Sequence, residues 1–305
     1  MHLKNRGVDI ISDGIQRADI RFIANSPIAF LDKKRGNKDL NKQTKTIVVF
    51  TVLIIFTVLF AGNVCAITLY DAEKVFNNYD KNIANLKKSI DMLNQIIKEN
   101  RDSNIIYDAC WIKSRVYATM GDYPTLTGTD ALKDYEAGKI SAEKALKIKS
   151  DGEKGYFWYA VNLGKAGQLK GVLNALFMLP EFENYMGKAY KLNPYDPWVL
   201  VAYGALYYEL PWIVGGSNSK ALYYLRRALA VDPHFTVAMV LMAKIYIKEG
   251  MNDKARPLLE KIINCNMPSS RADWLMSDKP AAQKLLNYIN APFQLKRKKD
   301  LTISK

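Results

Sequence analysis

The sequence predicts an all-α fold of repeated antiparallel helix pairs, preceded by an N-terminal apolar segment. Three observations carry that expectation. From about residue 70 onward, apolar residues recur at three- and four-residue spacing, with no sustained alternation bounded by turn residues. A pattern of large and small side chains returns along the chain. Two of the returning units close on an alanine followed five residues later by proline, Ala189 to Pro194 and Ala228 to Pro233. Composition agrees: at 49% hydrophobic and 24% charged, the chain is neither collagen-like nor wholly disordered. Its 305 residues and three cysteines build a core without a disulfide scaffold.

The net charge of +14 is concentrated at the ends. Residues 1–45 carry +5 and residues 291–305 carry +4, so the body between them is close to ordinary. No recognition motif accompanies either basic end, and nucleic acid is not expected as a partner. Between Lys45 and Asp71 lie 25 uncharged residues, with an apolar heart from Ile47 to Gly62. Lysines and arginines precede this run and acids follow it, which predicts a cytoplasmic N-terminus and export of what comes after. The run is short for a span and suits a signal peptide, with small residues placed for cleavage after Ala66. Forty-five residues ahead of it suit a retained anchor or a start chosen too far upstream. The expected division is therefore a basic extension (1–45), a signal peptide or membrane anchor (46–66), a helical repeat domain (67–290) and a basic tail (291–305). The expected location is periplasmic or otherwise extracytoplasmic, secreted or membrane-anchored.

The first helix is expected over about 70–99. Phe76, Tyr79, Ile83, Leu86, Ile90, Leu93 and Ile97 form one narrow seam on it, either packed on the first repeat or available for homo-oligomer contact. Past it come the repeats. Tyr156-x-x-Tyr159-Ala160-x-x-Leu163-x-x-x-Gly167 matches Met239-x-x-Met242-Ala243-x-x-Tyr246-x-x-x-Gly250, with Leu200-x-x-Tyr203-Gly204-x-x-Tyr207 between them. This is the tetratricopeptide pattern. A small residue at the eighth position lets paired helices approach closely, and the proline sets the turn into the next unit. The fourth positions, Cys110, Tyr156, Leu200 and Met239, are 46, 44 and 39 residues apart. Against a repeat of about 34, these units carry insertions between their two helices. One insertion, Leu169 to Pro180, predicts an extra apolar helical piece. Another, Glu209 to Ser217, predicts a tight turn in which Pro211, Gly215 and Gly216 hold Trp212 against neighbouring helices. A last helix over 279–289 is expected after a cap at Ser277-Asp278.

Those inserted units resemble a known family. The order Gly155-Tyr-Phe-Trp158-Tyr-Ala160, Lys188 to Pro194, Leu210-Pro-Trp-Ile-Val-Gly-Gly-Ser217 and Asp232-Pro233 resembles the tetratricopeptide T component of TRAP-type transporters (TatT-like proteins). It is also similar to the repeat domain of eukaryotic regulators of microtubule dynamics. The resemblance covers about residues 105–265. It implies an exported helical repeat protein that associates with a periplasmic solute-binding protein and helps to handle a hydrophobic ligand. The lipid-attachment motif common in the first family is missing here.

Little in the chain suggests catalysis. It carries no glycine-rich phosphate loop, CxxC, HExxH or GxSxG, and only His2 and His234 as histidines, so no enzyme activity, metal or cofactor is expected. Cys110 and Cys265 are separated by three repeats, too far for a disulfide, and two buried thiols are expected. The inner face is the candidate site. In this repeat type, helix A positions 2, 5, 9 and 12 face the groove. They read Lys154, Phe157, Val161 and Gly164, then Trp198, Val201, Ala205 and Tyr208, then Val237, Val240, Lys244 and Ile247, nine of the twelve apolar or aromatic. Phe157, Val161, Trp198, Val201, Tyr208, Val240 and Ile247 are therefore the expected partner or ligand surface. Two readings stay open: a groove that takes an apolar small molecule beside a protein partner, or a groove filled by the chain itself in a pure assembly scaffold.

Overall fold

A computed structural model describes residues 67–291, together with the single residue Thr51. The extension, the apolar run at 46–66 and the tail beyond Ala291 lie outside the described residues. The described part is helical from end to end, with no strand among the described residues.

The expected first helix is two helices. α1 (Leu69–Phe76) opens with a capping box: the Thr68 hydroxyl accepts from the Asp71 amide, and the Asp71 carboxylate accepts from the Thr68 amide at 3.1 Å. α2 (Ala84–Glu99) follows a break over residues 77–83. Asparagine causes the break, because its short amide competes with the helix for backbone groups. Asn78 Nδ2 donates to the Lys74 carbonyl, Asn85 Nδ2 to the Asn78 carbonyl, and Asn82 Oδ1 accepts from the Ala84 amide. The seam then works inside the molecule. Phe76, Tyr79, Leu86, Ile90 and Leu93 are all buried, in one cluster with Ile112, Val116 and Met120.

Four helix pairs follow: α3 (Ser103–Asp122) with α4 (Ala131–Ile148), α5 (Glu153–Leu169) with α6 (Val172–Leu192), α7 (Pro197–Glu209) with α8 (Asn218–Val231), and α9 (Thr236–Lys248) with α10 (Asn252–Ile263). Aspartate or serine side chains cap α3, α4, α7 and α8. Asn193 and Asp232 end α6 and α8, with Pro194 and Pro233 beyond them in the links to the next pair. The eighth positions behave as the pattern requires. Ala160 and Ala243 are fully buried, and a Cβ on Gly204 would stand 2.7 Å from Leu225. In the first pair that position is Ser114, buried and bonded to Asn162 Nδ2 at 3.0 Å. Gly138 makes room for Asn162, since a Cβ there would meet its amide at 2.2 Å.

The insertions differ from expectation. Residues 172–192 form one helix, with Pro180 inside it, so the first insertion lengthens α6 instead of adding a separate piece. In the second, a 3-10 turn (Trp212–Val214) is closed by backbone bonds from Gly216 to Pro211 and from Ser217 to Tyr207. That closure turns Trp212 outward: it is 84% exposed and touches no neighbouring helix core. The last helix, α11 (Lys279–Asn290), is not capped at Ser277-Asp278. The cap is Ser270, and the helix enters through Arg271–Asp273 and a five-residue π turn, Trp274–Asp278. Trp274 Nε1 donates to the Ile262 carbonyl at 2.7 Å, tying this turn to α10. Cys110 and Cys265 are free thiols; Cys110 is buried and Cys265 half-buried.

Candidate functional site

The seven side chains expected on the inner face are each buried or half-buried in the structure. Phe157, Val201 and Val240 are buried, while Val161, Trp198, Tyr208 and Ile247 are half-buried. Trp198 joins the two halves, packing against the cluster around Phe157 and against the cluster around Val240. Ring centroids run from Phe157 to Trp158 at 4.9 Å, Trp158 to Trp198 at 6.3 Å and Trp198 to Phe235 at 4.8 Å. The first and last of these are edge-on contacts, which favour aromatic pairs beyond their area alone.

Two segments near the ends of the described chain also meet. Tyr79, just past α1, donates to Asp273 at 2.6 Å, and Arg271 pairs with Asp80 at 2.6 Å. Ala272 and Met276 join the cluster of Phe76 and Tyr79. Burial and the Asp273 charge push the Tyr79 phenol far above its usual range, so it stays a donor. The π turn also holds the fourth pair, because Thr236 Oγ1 donates to the buried Asp278 carboxylate at 2.6 Å. Burial raises the pKa of Asp278 to about 6.

Polar groups on the inner face are mostly paired. Lys154 bridges Glu153 and Asp196. Burial pushes the Glu153 carboxyl up. The Tyr107 hydroxyl accepts from the Gly155 amide, and burial raises its phenol to about 12. Among the described residues, no group of three or more His, Cys, Asp or Glu could hold a metal ion.

The exposed apolar surface lies elsewhere, on the connections between paired helices and on the first turns of α6. Antiparallel pairs stacked in register put these connections on one edge. Residues 124–129, 171–180 and 210–219 in three successive pairs carry no charge. Phe177 and Trp212 are each 84% exposed, Leu173 72% and Ile213 70%, with Val172 and Leu126 also exposed. A soluble surface seldom keeps so many large apolar side chains together without a binding role. Behind this edge, Tyr203, Tyr207 and Tyr224 stack at 5.0 to 6.4 Å, with Lys220 over Tyr207 at 5.1 Å.

Sequence reasoning missed two features. The insertions were legible as apolar, but their exposure was not. Arg115, whose guanidinium carbon lies 4.8 Å from the ring centroid of Phe76 and 5.6 Å from that of Trp198, was missed because the groove register was read for three units only. Counting from Cys110 puts Arg115 at the ninth, inward position of α3.

The family described as "Regulator of microtubule dynamics protein 1-3" matches residues 69–290. The chain is 27% identical to the bovine regulator of microtubule dynamics protein 1, over 60% of this chain and 64% of that one. It is 28% identical to the mouse regulator of microtubule dynamics protein 3, over 49% of this chain and 35% of that one. The chain thus matches less than two thirds of either relative's length. A thermophilic TPR protein of Thermus thermophilus shares the fold, with a TM-score of 0.51 at 14% identity over 70% of this chain and 99% of that one. These findings support the microtubule-regulator side of the resemblance and correct the expected location. The relatives are eukaryotic proteins, from animals whose cells have no periplasm. No helix among the described residues is long and apolar enough to cross a membrane. A basic flank before an apolar run is a local pattern, and it did not specify the compartment. With the match running from the first turn of α1 to the last residue of α11, the chain belongs to the regulator of microtubule dynamics protein 1-3 family.

Proposed function

We propose that the chain is a non-enzymatic scaffold that docks a protein partner on its exposed apolar edge. One observation carries the reading: Phe177 and Leu173 in the first turns of α6, and Trp212 and Ile213 in the 3-10 turn, stand in solvent on uncharged stretches, while Phe157, Val201 and Val240 on the inner face are buried. Each such side chain gains about 1.5–3 kcal/mol when a partner removes it from water, and aromatic anchors dominate protein interfaces. The apolar-ligand reading has less support, because Phe157, Val201 and Val240 are already buried against protein. A transporter-accessory role would need the periplasm that the relatives' cells lack. The relatives' name makes the microtubule the first partner to test. Wild type is expected to pellet with stabilised microtubules, and a Phe177→Ser, Trp212→Ser variant to stay in the supernatant with its helix content intact. Equal pelleting of the two proteins would show that the edge is not the docking surface.

A further inference from the structure

The first half of α6 is apolar on two faces, and the chain covers only one of them. Ala175 and Met178 close on Gly167, and Met178 and Phe182 pack on the cluster around Phe157. The opposite face, with Val172, Leu173, Phe177 and Pro180, is exposed. At helical spacing these four positions share one side of the helix and make a stripe about two and a half turns long. A helix that is apolar all round is one that packing covers all round, and this one is covered on one side.

Charge indicates what covers the other side. The chain carries +14, so two copies repel one another except where their surfaces are uncharged or complementary. The stripe is uncharged, and its ends differ in sign. At its start, Lys170 and Lys139 share the single carboxylate of Glu136. Past its far end, Glu183 continues the same side of the helix, exposed and without an ion pair among the described residues. Two such stripes laid antiparallel, centred between Leu176 and Phe177, set Leu173 against Pro180 and bring each Lys170 to the Glu183 end of the other copy. A two-fold contact requires a surface that is complementary to itself in this way. We infer that the α6 stripe is a contact between two copies of this chain. The inference rests on the docking reading of the apolar edge and assigns its α6 part, leaving the Trp212 turn for another partner. A contact of so few turns belongs with the small, reversible interfaces.

Sedimentation velocity on the full chain, without microtubules, tests it. Wild type is expected to populate a two-copy species that grows with concentration. The Leu173→Ser, Phe177→Ser variant should remain single with its helix content intact. Lys170→Glu and Glu183→Lys should each weaken pairing about tenfold, because two-fold symmetry makes each reversal count twice. An equimolar mixture of these two variants should pair as wild type does, since each supplies the charge that the other now needs. Trp212→Ser should leave pairing unchanged. If Lys170→Glu loses helix content, Glu183→Lys alone decides. A wild type that stays single at every concentration overturns the inference. So does pairing that survives Leu173→Ser, Phe177→Ser, assembly into open chains of copies, or a mixture of the folded charge variants that fails to pair. A single-copy wild type whose pelleting with microtubules still needs Phe177 and Trp212 overturns this contact and leaves the docking reading standing. A two-copy wild type that pellets equally without the edge keeps the contact and removes only the microtubule as the edge's partner.

Discussion

A Cβ added to Gly216 would stand 1.8 Å from the carbonyl oxygen of Leu210 and 3.0 Å from the Pro211 backbone. Those are main-chain atoms, which cannot swing aside as a side-chain tip does. Its neighbour Gly215 has open space around it but a φ of +97°, a backbone region that other residues enter only at a cost. The pair therefore protects the turn in two ways, one steric and one conformational. Gly216→Ala should destabilise the protein by more than about 1 kcal/mol, read as a lower denaturant midpoint. An unchanged midpoint would mean that the turn yields freely. The pair was visible in the sequence as a turn signal. The outward aim of Trp212 was not, because dihedral preference says nothing about which side chain finds a neighbour.

Among the elements, the π turn into α11 carries the clearest electrostatic signature. Asp278 is buried there, and its carboxyl is raised from 3.8 to about 6, first by burial and then by the Asp273 charge, against the Thr236 hydrogen bond and Lys244. Between these two values the folded chain holds a proton that the unfolded chain has released. Stability from this group is therefore full below about pH 4 and falls as the pH rises through 6, by about 3 kcal/mol. Asp278→Asn keeps an acceptor for Thr236 and removes the titration. Denaturation midpoints at pH 5 and 7.5 should diverge in wild type more than in the variant, with the variant the more stable at pH 7.5. Parallel midpoints would place the proton elsewhere. The element itself was read correctly as a terminal helix and incorrectly as one capped at Ser277-Asp278. Asp278 looks like a cap in sequence, but the π turn runs through it into α11 and its carboxylate is taken by Thr236.

At the scale of the molecule, stability rests on a contact between residues almost two hundred positions apart. Tyr79 meets Asp273, and Arg271 meets Asp80, whose other carboxylate oxygen is buried without a partner. Tyr79→Phe keeps the ring in its cluster and strands the Asp273 carboxylate, a loss of about 1.5–3 kcal/mol for a hydrogen bond to a charged group. Amide exchange should then speed up over residues 271–278 while α5 to α8 stay protected. Uniform protection across the chain would show that the closing contact is dispensable.

The sequence by itself determined the all-helical class, the pairing of the repeated helices and the small residues at their close approaches. Those features follow from local rules: spacing at 3.6 residues, small residues at close approaches, asparagine and proline at ends. Even Arg115 was within reach, by carrying the register one unit back to Cys110. Tertiary structure alone decided that the end of α1 would meet the segment before α11, and that the apolar insertions would stay in solvent. Which apolar face meets which is settled by packing between segments far apart in the chain, and nothing in the spacing of Tyr79 or Phe177 records its distant neighbour.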